Sequence, residues 1–564
     1  MKSLLKWGVP ILALGVTGVS AAMILYFILR YGVDIPYNDQ WEYVGFFDHY
    51  SLCILSFEEL FRFHNEYRKF FPNLITVLMG AQTHWNVRYE MWLIFGAVVL
   101  TSFNIYRLAS LTNRGAAWQK WLAFALSSLF IFSPMQWENW IFGVQLEYYL
   151  PILCITACFT ISFLRIHPAL KLVWCAVLCT ISTFSSVNGM ISWLIVFPAL
   201  AFTGNRNEVF RKWFSIALWI LVTIGALILY FTGFSKTGTH PSMQTVLEEP
   251  WQALLYFFGT IGNSFRVIHS LDMILWMGAA VFTVFLLQII YIFVHRKDQA
   301  LVKTSMIWIL LGFYSLGTSV LLTLGRMGFG LDQSLASRYT GFTLFIDVAV
   351  IFLGAILLQH RHTKKPLSVL SKLAIAGAVL FIVGSKVFTY PTAYQELRAY
   401  HANIRHGKAG LLFIDFVAHV ECESKVYPGD YVELQRKAHI LDSMGYLRPR
   451  LVKTKFINEL EGEKSGVWDF GTLDQLVPLN DTIFTAFGSA LMPENKETAD
   501  AILFTYRDTL GRDVLFAFYN GDSMSFHKTF FYFSHYPRPT EISAWAFDGE
   551  KREAYRLKQK HRIE

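Results

Sequence analysis

Residues 4–29, LLKWGVPILALGVTGVSAAMILYFIL, form an apolar run long enough to cross a lipid bilayer as one helix. Comparable runs recur as far as residue 389. Some are short, which favours positions inside a bundle beside a thinned or water-filled region. A spanning helix needs roughly 20 apolar residues, so the pattern predicts a polytopic transmembrane helix bundle of about eleven spans. The predicted spans lie near residues 4–29, 89–109, 120–134, 146–164, 172–185, 190–203, 213–233, 272–294, 304–325, 340–359 and 367–389.

The composition of the 564 residues agrees with this class. Hydrophobic residues make up 54% and charged residues 16%, whereas soluble domains carry about 25% charged residues. That excludes a cytosolic enzyme and a disordered chain, and 6 Cys over the whole length exclude a disulfide scaffold. Residues 1–389 hold 27 Lys and Arg against 17 Asp and Glu. This excess marks cytoplasmic loops, and we expect no nucleic-acid partner.

Loop charges predict the orientation. One alternate set of loops holds 17 basic residues and only two acidic residues, Glu208 and Asp298. The positive-inside rule makes this set cytoplasmic and places the N-terminus inside. With an odd number of spans, residues 390–564 lie on the external or periplasmic side of the inner (plasma) membrane. Phe70–His84 competes as a twelfth span, but the charges favour a re-entrant or interfacial helix within the first external loop, residues 30–88.

Polar and aromatic clusters then fall on the external face. The first loop carries Asn38–Glu42 and His64–Lys69, and the second carries Gln136–Trp140 followed by Gln145. Two later loops supply Asn188 and a cluster around Arg338. Several loops converging on one side of a bundle predict the rim of a single cavity. The candidate binding residues are Trp41, Arg68, Gln136, Trp137, Glu138, Asn139, Trp140, Gln145, Asn188, Arg326, Arg338 and Tyr339.

These residue types suit a narrow range of chemistry. Asp39 and Glu66 are candidate general bases, and His64 could orient one of them or act in its place. Arginines suit phosphate or pyrophosphate because the guanidinium fork matches its oxygens. Tryptophans beside Asn and Gln form a surface for stacking a sugar ring. The sequence has no nucleophile elbow, Walker loop or CxxC pair, which argues against hydrolase, ATPase and redox functions.

Each residue also has a structural interpretation. Asp39 can be simply solvated, His64–Arg68 can be a salt-bridged surface segment, and the tryptophans can form an interfacial belt. Asp347 lies within a span, where a functional carboxylate and a helix–helix hydrogen bond are both open.

The C-terminal region changes character along its length. Residues 390–450 read as helical, over Tyr394–Arg405 and Tyr431–Leu441. Residues 451–564 contain short β-branched or aromatic runs separated by turn residues, which predicts a small antiparallel β-sandwich. The expected strands are Asp481–Phe487, Ala499–Tyr506, Asp513–Tyr519 and Phe526–Phe533. Glycan binding by this domain and a purely covering role both remain open.

The arrangement resembles the GT-C superfamily of membrane glycosyltransferases that use polyprenyl-phosphate sugars. Those enzymes have an inside N-terminus and a long first external loop with an acidic residue soon after the first span. Here Asn38-Asp39-Gln40-Trp41 occupies that place, and Glu66 that of a second carboxylate. The tail, with Phe487-Gly488-Ser489-Ala490, is similar to β-rich tails of bacterial members. A paired Asp-Asp or Asp-Glu is absent, so no cofactor is indicated and use of a divalent cation stays open.

The resemblance implies sugar transfer from a polyprenyl-phosphate donor to a glycan or lipid-linked glycan acceptor at the external face. Asp39 would be the base, the anomeric configuration would invert, and Arg326 or Arg338 would hold the donor phosphate. Glu66 and His64 would orient the acceptor. A transporter or flippase of a lipid-linked sugar is the alternative, although the sequence shows no convincing internal repeat. A structural envelope protein is a third interpretation.

Overall fold

The computed structural model describes residues 2–65, 67–113, 115–203, 213–234, 243–266, 270–364, 368–417, 424–463, 470–521, 523–533 and 536–564. The fold is mostly helical, with a C-terminal β domain of two sheets. The chain forms two compact units. The first comprises Met1–Gly32, Leu55–Thr76 and Arg88–Leu397. The second comprises Val33–Ile54, Val77–Val87 and Arg398–Glu564.

These units divide the chain differently from the expected boundary at residue 390. That position lies inside a continuous helix, Val369–Leu412. The expected first loop, residues 30–88, is shared between the two units. This division could not be predicted from the sequence, because the second unit combines residues 33–54 and 77–87 with the C-terminal region, which is far away along the chain.

The first unit is a helical bundle. Its helices are Lys2–Tyr31, Phe57–Phe61, Phe70–Thr83 (to residue 76), Arg88–Thr112, Ala117–Ile131, Trp137–Ile141, Leu146–Ser162, Pro168–Thr183, Ile191–Thr203, Trp213–Phe231, Gln244–Glu248, Pro250–Gly262, Leu271–Val294, Gln299–Arg326, Ser337–Thr343, Phe345–Lys364 and Val369–Leu412 (to residue 397). Short 3-10 turns at Pro134–Gln136, Gly143–Gln145, Val187–Met190, Asn263–Phe265, Met327–Phe329 and Leu331–Leu335 connect several of them.

Within the described residues, eight helices are long and apolar enough to cross a membrane. They are Gly8–Tyr31, Arg88–Thr112, Gly143–Ser162, Trp213–Phe231, Leu271–Val294, Gln299–Phe329, Ser337–Arg361 and Lys372–Leu412. The expected count of eleven is therefore not confirmed. The spans expected near 120–134, 172–185 and 190–203 are helices of 15, 16 and 13 residues. Phe70–Thr83, with 14 residues, is helical and equally short.

Close helix packing in the first unit depends on small residues. Pro250–Gly262 and Leu271–Val294 approach each other at Gly262 and Gly278. A Cβ atom on Gly278 would lie 2.0 Å from the carbonyl oxygen of Phe258, and one on Gly262 would lie 2.0 Å from that of Ile274. Only hydrogen fits at these two positions, as is usual where helix backbones meet in membrane proteins.

The second unit combines short helices with two antiparallel sheets. Its helices are Asn38–Glu42, Tyr43–Ser51, the end of Val369–Leu412, Tyr431–Met444 and Ile457–Leu460. The strands are β1 (Gly471–Pro478), β2 (Ile483–Ala490), β3 (Ala501–Arg507), β4 (Asp513–Asn520), β5 (Ser525–Phe531), β6 (Thr540–Asp548), β7 (Glu553–Arg556) and β8 (His561–Ile563). All four expected strands are present, with ends within three residues of their predicted positions.

The sheets have the orders β1-β2-β5 and β4-β3-β6-β7, with β8 added beside β6. One hydrophobic core joins them, with Phe484 and Phe526 from the smaller sheet and Ile502 and Ala544 from the larger. The opposite face of the larger sheet packs through Trp545 against Leu412, Phe413 and Ile457. The domain is therefore layered as sheet, sheet and helix.

Two first-loop segments complete the second unit. The backbone amide of Asn38 donates to the carbonyl of Val426 at 2.8 Å. Phe47 packs on Trp85 with ring centroids 4.6 Å apart and on Tyr446 at 5.3 Å. These contacts explain why residues 33–54 and 77–87 group with the C-terminal region.

Candidate functional site

Two of the predicted clusters meet in the first unit. The Ser337–Thr343 helix packs against the turn and helix formed by residues 134–141. The Ser337 hydroxyl donates to the carbonyl of Met135 at 2.9 Å and accepts from the Glu138 amide at 3.3 Å. Through these two hydrogen bonds the Ser337 hydroxyl connects the Ser337–Thr343 helix to the segment 134–141, which lies about 200 residues earlier in the sequence.

Arg338 is anchored by Glu138. Its Nη1 donates to Glu138 Oε1 at 2.8 Å, and its backbone amide donates to Oε2 of the same carboxylate at 3.3 Å. Asn139 Nδ2 donates to the Arg338 carbonyl at 3.1 Å. The Arg338 side chain is 31% exposed, and Nε and Nη2 make no further hydrogen bond within the described residues. Its guanidinium is therefore fixed along one edge and retains donors along the other.

A buried polar group lies behind this pair. Tyr149 donates to Gln136 Oε1 at 2.6 Å, and Gln136 Nε2 donates to the Ile131 carbonyl at 2.7 Å. Gly341 packs directly against this group, and a larger residue would not fit there, since a Cβ on Gly341 would lie 2.5 Å from Asn139 Nδ2. Trp140 is fully buried and donates to the Ser133 carbonyl at 3.0 Å. Gln136 and Trp140 therefore hold the site together and offer no surface to a ligand.

Tyrosines surround the two arginines. Arg326 Nη2 donates to the Tyr67 hydroxyl, and Tyr339, Tyr148 and Tyr256 interact electrostatically with Arg326, Arg338 or both. Tyr339 is buried and accepts from Gln333 Nε2 at 3.2 Å. We call Tyr67, Tyr148, Tyr256, Arg326, Arg338 and Tyr339 the arginine–tyrosine cluster. It places two guanidinium groups and several phenol hydroxyls in one neighbourhood, a donor set suited to an oxyanion.

Arg68 has a structural role. Its Nε donates to the carbonyl of Tyr230 at 2.8 Å, and its other guanidinium nitrogens donate to the carbonyls of Phe61 and Thr232. The acceptors Tyr230 and Thr232 lie at the C-terminal end of the Trp213–Phe231 helix, where a cation is favourable. Burial lowers the pKa of this guanidinium. Because three carbonyls occupy it, Arg68 is not available to grip a phosphate.

The remaining predicted residues of the first unit are buried or locally paired. Trp137 Nε1 donates to Glu396 Oε2 at 2.7 Å, and Arg266 pairs with the same oxygen at 2.5 Å. Asn188 donates to the Tyr314 hydroxyl at 3.0 Å, and Gln145 is 2% exposed. His64 is paired through its backbone with Tyr67. Glu66 lies outside the described residues.

Asp39 and Trp41 belong to the second unit, whereas His64 belongs to the first. Asp39 is exposed in the Asn38–Glu42 helix. Trp41 is fully buried, with its ring edge-on to Tyr427 at 6.3 Å. Trp41 therefore presents no ring face to a sugar. It packs because the short helix must bury one side against the C-terminal region.

Two ionisable groups are buried among the apolar helices. Ser264 Oγ donates to Asp347 Oδ2 at 2.8 Å, and Lys386 Nζ donates to the Ser264 carbonyl at 3.3 Å. Lys386 also lies 3.7 Å from the centroid of the Phe130 ring and attracts Asp347 electrostatically. Asp347 is a candidate from the sequence pattern, whereas Lys386 was not expected. A lysine inside the apolar run 367–389 was the signal that could have found it.

Comparison of the chain with protein-family models, with curated proteins and with solved structures finds no match. Across the described residues, no three or more His, Cys, Asp and Glu side chains are grouped so that they could hold a metal ion.

Proposed function

We propose that the chain is a multi-pass inner-membrane glycosyltransferase. It would transfer a sugar from a polyprenyl-phosphate donor to a glycan or lipid-linked glycan acceptor at the external face. Eight apolar helices support a membrane location. The observation that carries the donor class is Arg338, which Glu138 holds along one edge while Nε and Nη2 remain available to an anion. A lipid-linked phosphate needs such a donor set beside apolar helices.

The proposed reaction is a direct displacement. An acceptor hydroxyl oxygen attacks the anomeric carbon, the bond from that carbon to the phosphate oxygen breaks, and the polyprenyl phosphate leaves with the electron pair. The hydroxyl proton passes to a carboxylate. We propose Asp39 for this role on its chemistry and its exposure alone, with Glu66 and His64 orienting the acceptor. Arg338 and Arg326 would stabilise the negative charge on the leaving phosphate.

Asp39→Asn tests the reaction. Purified protein in nanodiscs would be supplied with radiolabelled polyprenyl-phosphate hexose and an envelope glycan extract. A general base contributes roughly 10²–10⁴-fold in rate, so turnover should fall by that factor while donor binding persists. Asp48→Asn, a nearby carboxylate in the Tyr43–Ser51 helix, is the matched control and should keep full turnover. If Asp39→Asn and Glu66→Gln both turn over like wild type, the transferase proposal fails.

A transporter or flippase of a lipid-linked sugar is the second candidate. Asp347, Ser264 and Lys386 favour it, because buried ionisable groups in apolar helices frequently mark transport or proton pathways. The two functions separate in proteoliposomes. A transporter would move a fluorescent lipid-linked sugar between leaflets without an acceptor, and neutral replacement of Asp347 would abolish that movement.

A further inference from the structure

The outer face of the smaller sheet combines an aromatic pair with polar groups. Phe487 on β2 and His527 on β5 are directly paired across the strands, and their rings stack at 4.5 Å with an angle of 10°. Phe487 remains 36% exposed, and His527 is exposed as well. The Phe487 ring therefore keeps accessible surface beside His527 on the outer face of this sheet.

A β-bulge adds polar groups next to the ring. The register of β1 against β2 shifts between Leu473 and Gln475. Leu473 and Leu476 both pack into the core, so the two residues between them, Asp474 and Gln475, face outward together. Both are exposed, and Gln475 is the register partner of Phe487. The bulge therefore places a carboxylate and an amide on the side of the Phe487 ring that His527 does not cover.

The side chains at the neighbouring outward-facing positions of β5 are short and uncharged. Ser525 and Thr529 lie two residues on either side of His527 and are exposed. The Thr529 hydroxyl lies 3.0 Å from that of Thr485 on β2. Of the described outward-facing side chains Asp474, Gln475, Phe487, Ser525, His527 and Thr529, Asp474 carries the formal charge. Such a surface disfavours an anionic lipid or nucleic acid, which would meet the Asp474 carboxylate.

We propose that this face binds a neutral oligosaccharide chain. A sugar ring would lie against the exposed part of Phe487, through its C–H groups. Its hydroxyls would donate to Asp474 and exchange hydrogen bonds with Gln475 and Thr529, since carboxylates form the stronger bonds to such donors. The polar groups extend across β1, β2 and β5, which suits a chain of several sugars. This site is separate from the proposed transfer reaction and does not depend on it.

Isothermal titration calorimetry on the full-length protein in nanodiscs tests the proposal. The probes are maltohexaose, cellohexaose and mannohexaose. We expect at least one to bind, and Phe487→Ala to weaken that binding by roughly five- to thirtyfold, the loss typical of a central contact residue. Asp474→Asn should cause a smaller loss, because the amide keeps the shape and one hydrogen bond. Neither change touches the core, so thermal melting should match wild type.

Leu510→Ala is the matched control, since Leu510 is 75% exposed in the turn between β3 and β4, on the other sheet. It should bind the sugar like wild type. An equal loss in this variant, or no binding of any of the three probes to wild type, would overturn the proposal. Crosslinking of a photoreactive lipid to Phe487 in place of sugar binding would instead assign the face to the membrane surface. None of these results bears on turnover, so the transferase proposal is tested independently.

Discussion

Arg338 and Glu138 are joined twice, once through the guanidinium at 2.8 Å and once through the Arg338 backbone amide at 3.3 Å. The double contact fixes both the start of the Ser337–Thr343 helix and the direction of the side chain. A lysine at this position would keep the charge but lose the planar fork, and its ammonium would be held less precisely.

Arg338→Lys should therefore weaken donor binding despite conserving charge, and Arg338→Ala should weaken it further. A charged hydrogen bond contributes about 1.5–3 kcal/mol, so the alanine variant should bind roughly ten- to a hundredfold more weakly. Binding of a fluorescent polyprenyl phosphate to protein in detergent measures the effect. Arg296→Lys, at an exposed position in another loop, is the control. Unchanged affinity in both Arg338 variants would move the phosphate site to Arg326.

Gly278→Ala should destabilise the helical bundle. The added methyl would lie 2.0 Å from the Phe258 carbonyl oxygen, so the two helices must separate. Overpacking of this kind costs about 1–3 kcal/mol. Gly225→Ala is the matched control, since a Cβ there meets nothing within 4 Å. Thermal denaturation in detergent should show a lower midpoint for Gly278→Ala alone, and equal midpoints would contradict the close crossing.

Much of the secondary structure could be predicted from the sequence, because apolar runs and alternating strands are local patterns. Asp513–Tyr519, for example, is expected from its aromatic run and the turn residues beside it, and the strand spans Asp513–Asn520. β1 was missed, since its bulge interrupts the alternation and a proline ends it. β6 was missed because its central position buries both faces and removes the period of two.

The candidate site was predictable only in part. Loop placement correctly suggested that Glu138 and Arg338 share a neighbourhood, because both loops were expected on one face. It could not show that Arg68 is occupied by backbone carbonyls or that Trp41 is buried, since these depend on packing between distant segments. The assignment of Asp39 and His64 to different units could not be predicted either, because it also depends on packing between distant segments.

Asp500 should make the second unit respond to pH. Burial raises the pKa of its carboxyl to about 6, although Arg405 at 2.6 Å and the Gly549 amide at 2.8 Å act in the opposite direction. A raised pKa in the folded state means that protonation favours folding. The contribution of Asp500 is fully present below its unfolded pKa of 3.8 and declines as pH rises through about 6.

Comparison of wild type with Asp500→Asn measures this effect and cancels the contributions of other carboxylates. As pH falls from about 7 to 5, the melting temperature of wild type should rise relative to that of the variant. Asp508→Asn is the control, because hydrogen bonds from Arg512 lower the pKa of the Asp508 carboxyl, which therefore stays ionised over this pH range. A relative fall for wild type would mean that Arg405 outweighs burial.

The buried pair Asp347 and Lys386 should behave as a coupled unit. Within the part of the chain that the structure describes, Lys386→Met would leave Asp347 with the Ser264 hydroxyl as its side-chain donor. Asp347→Leu would leave the lysine among Phe130, Phe265 and the Ser264 carbonyl. Removal of one partner of a buried pair costs about 3–5 kcal/mol, whereas replacement of both by apolar groups is often close to neutral. The double variant should therefore be more stable than either single variant.

Lys372→Met, which removes an exposed lysine from the same helix, should change the melting temperature little. Thermal denaturation of all four variants in detergent gives the coupling energy. If the two single losses simply add in the double variant, the groups do not stabilise each other, and each instead bonds to its own neighbours.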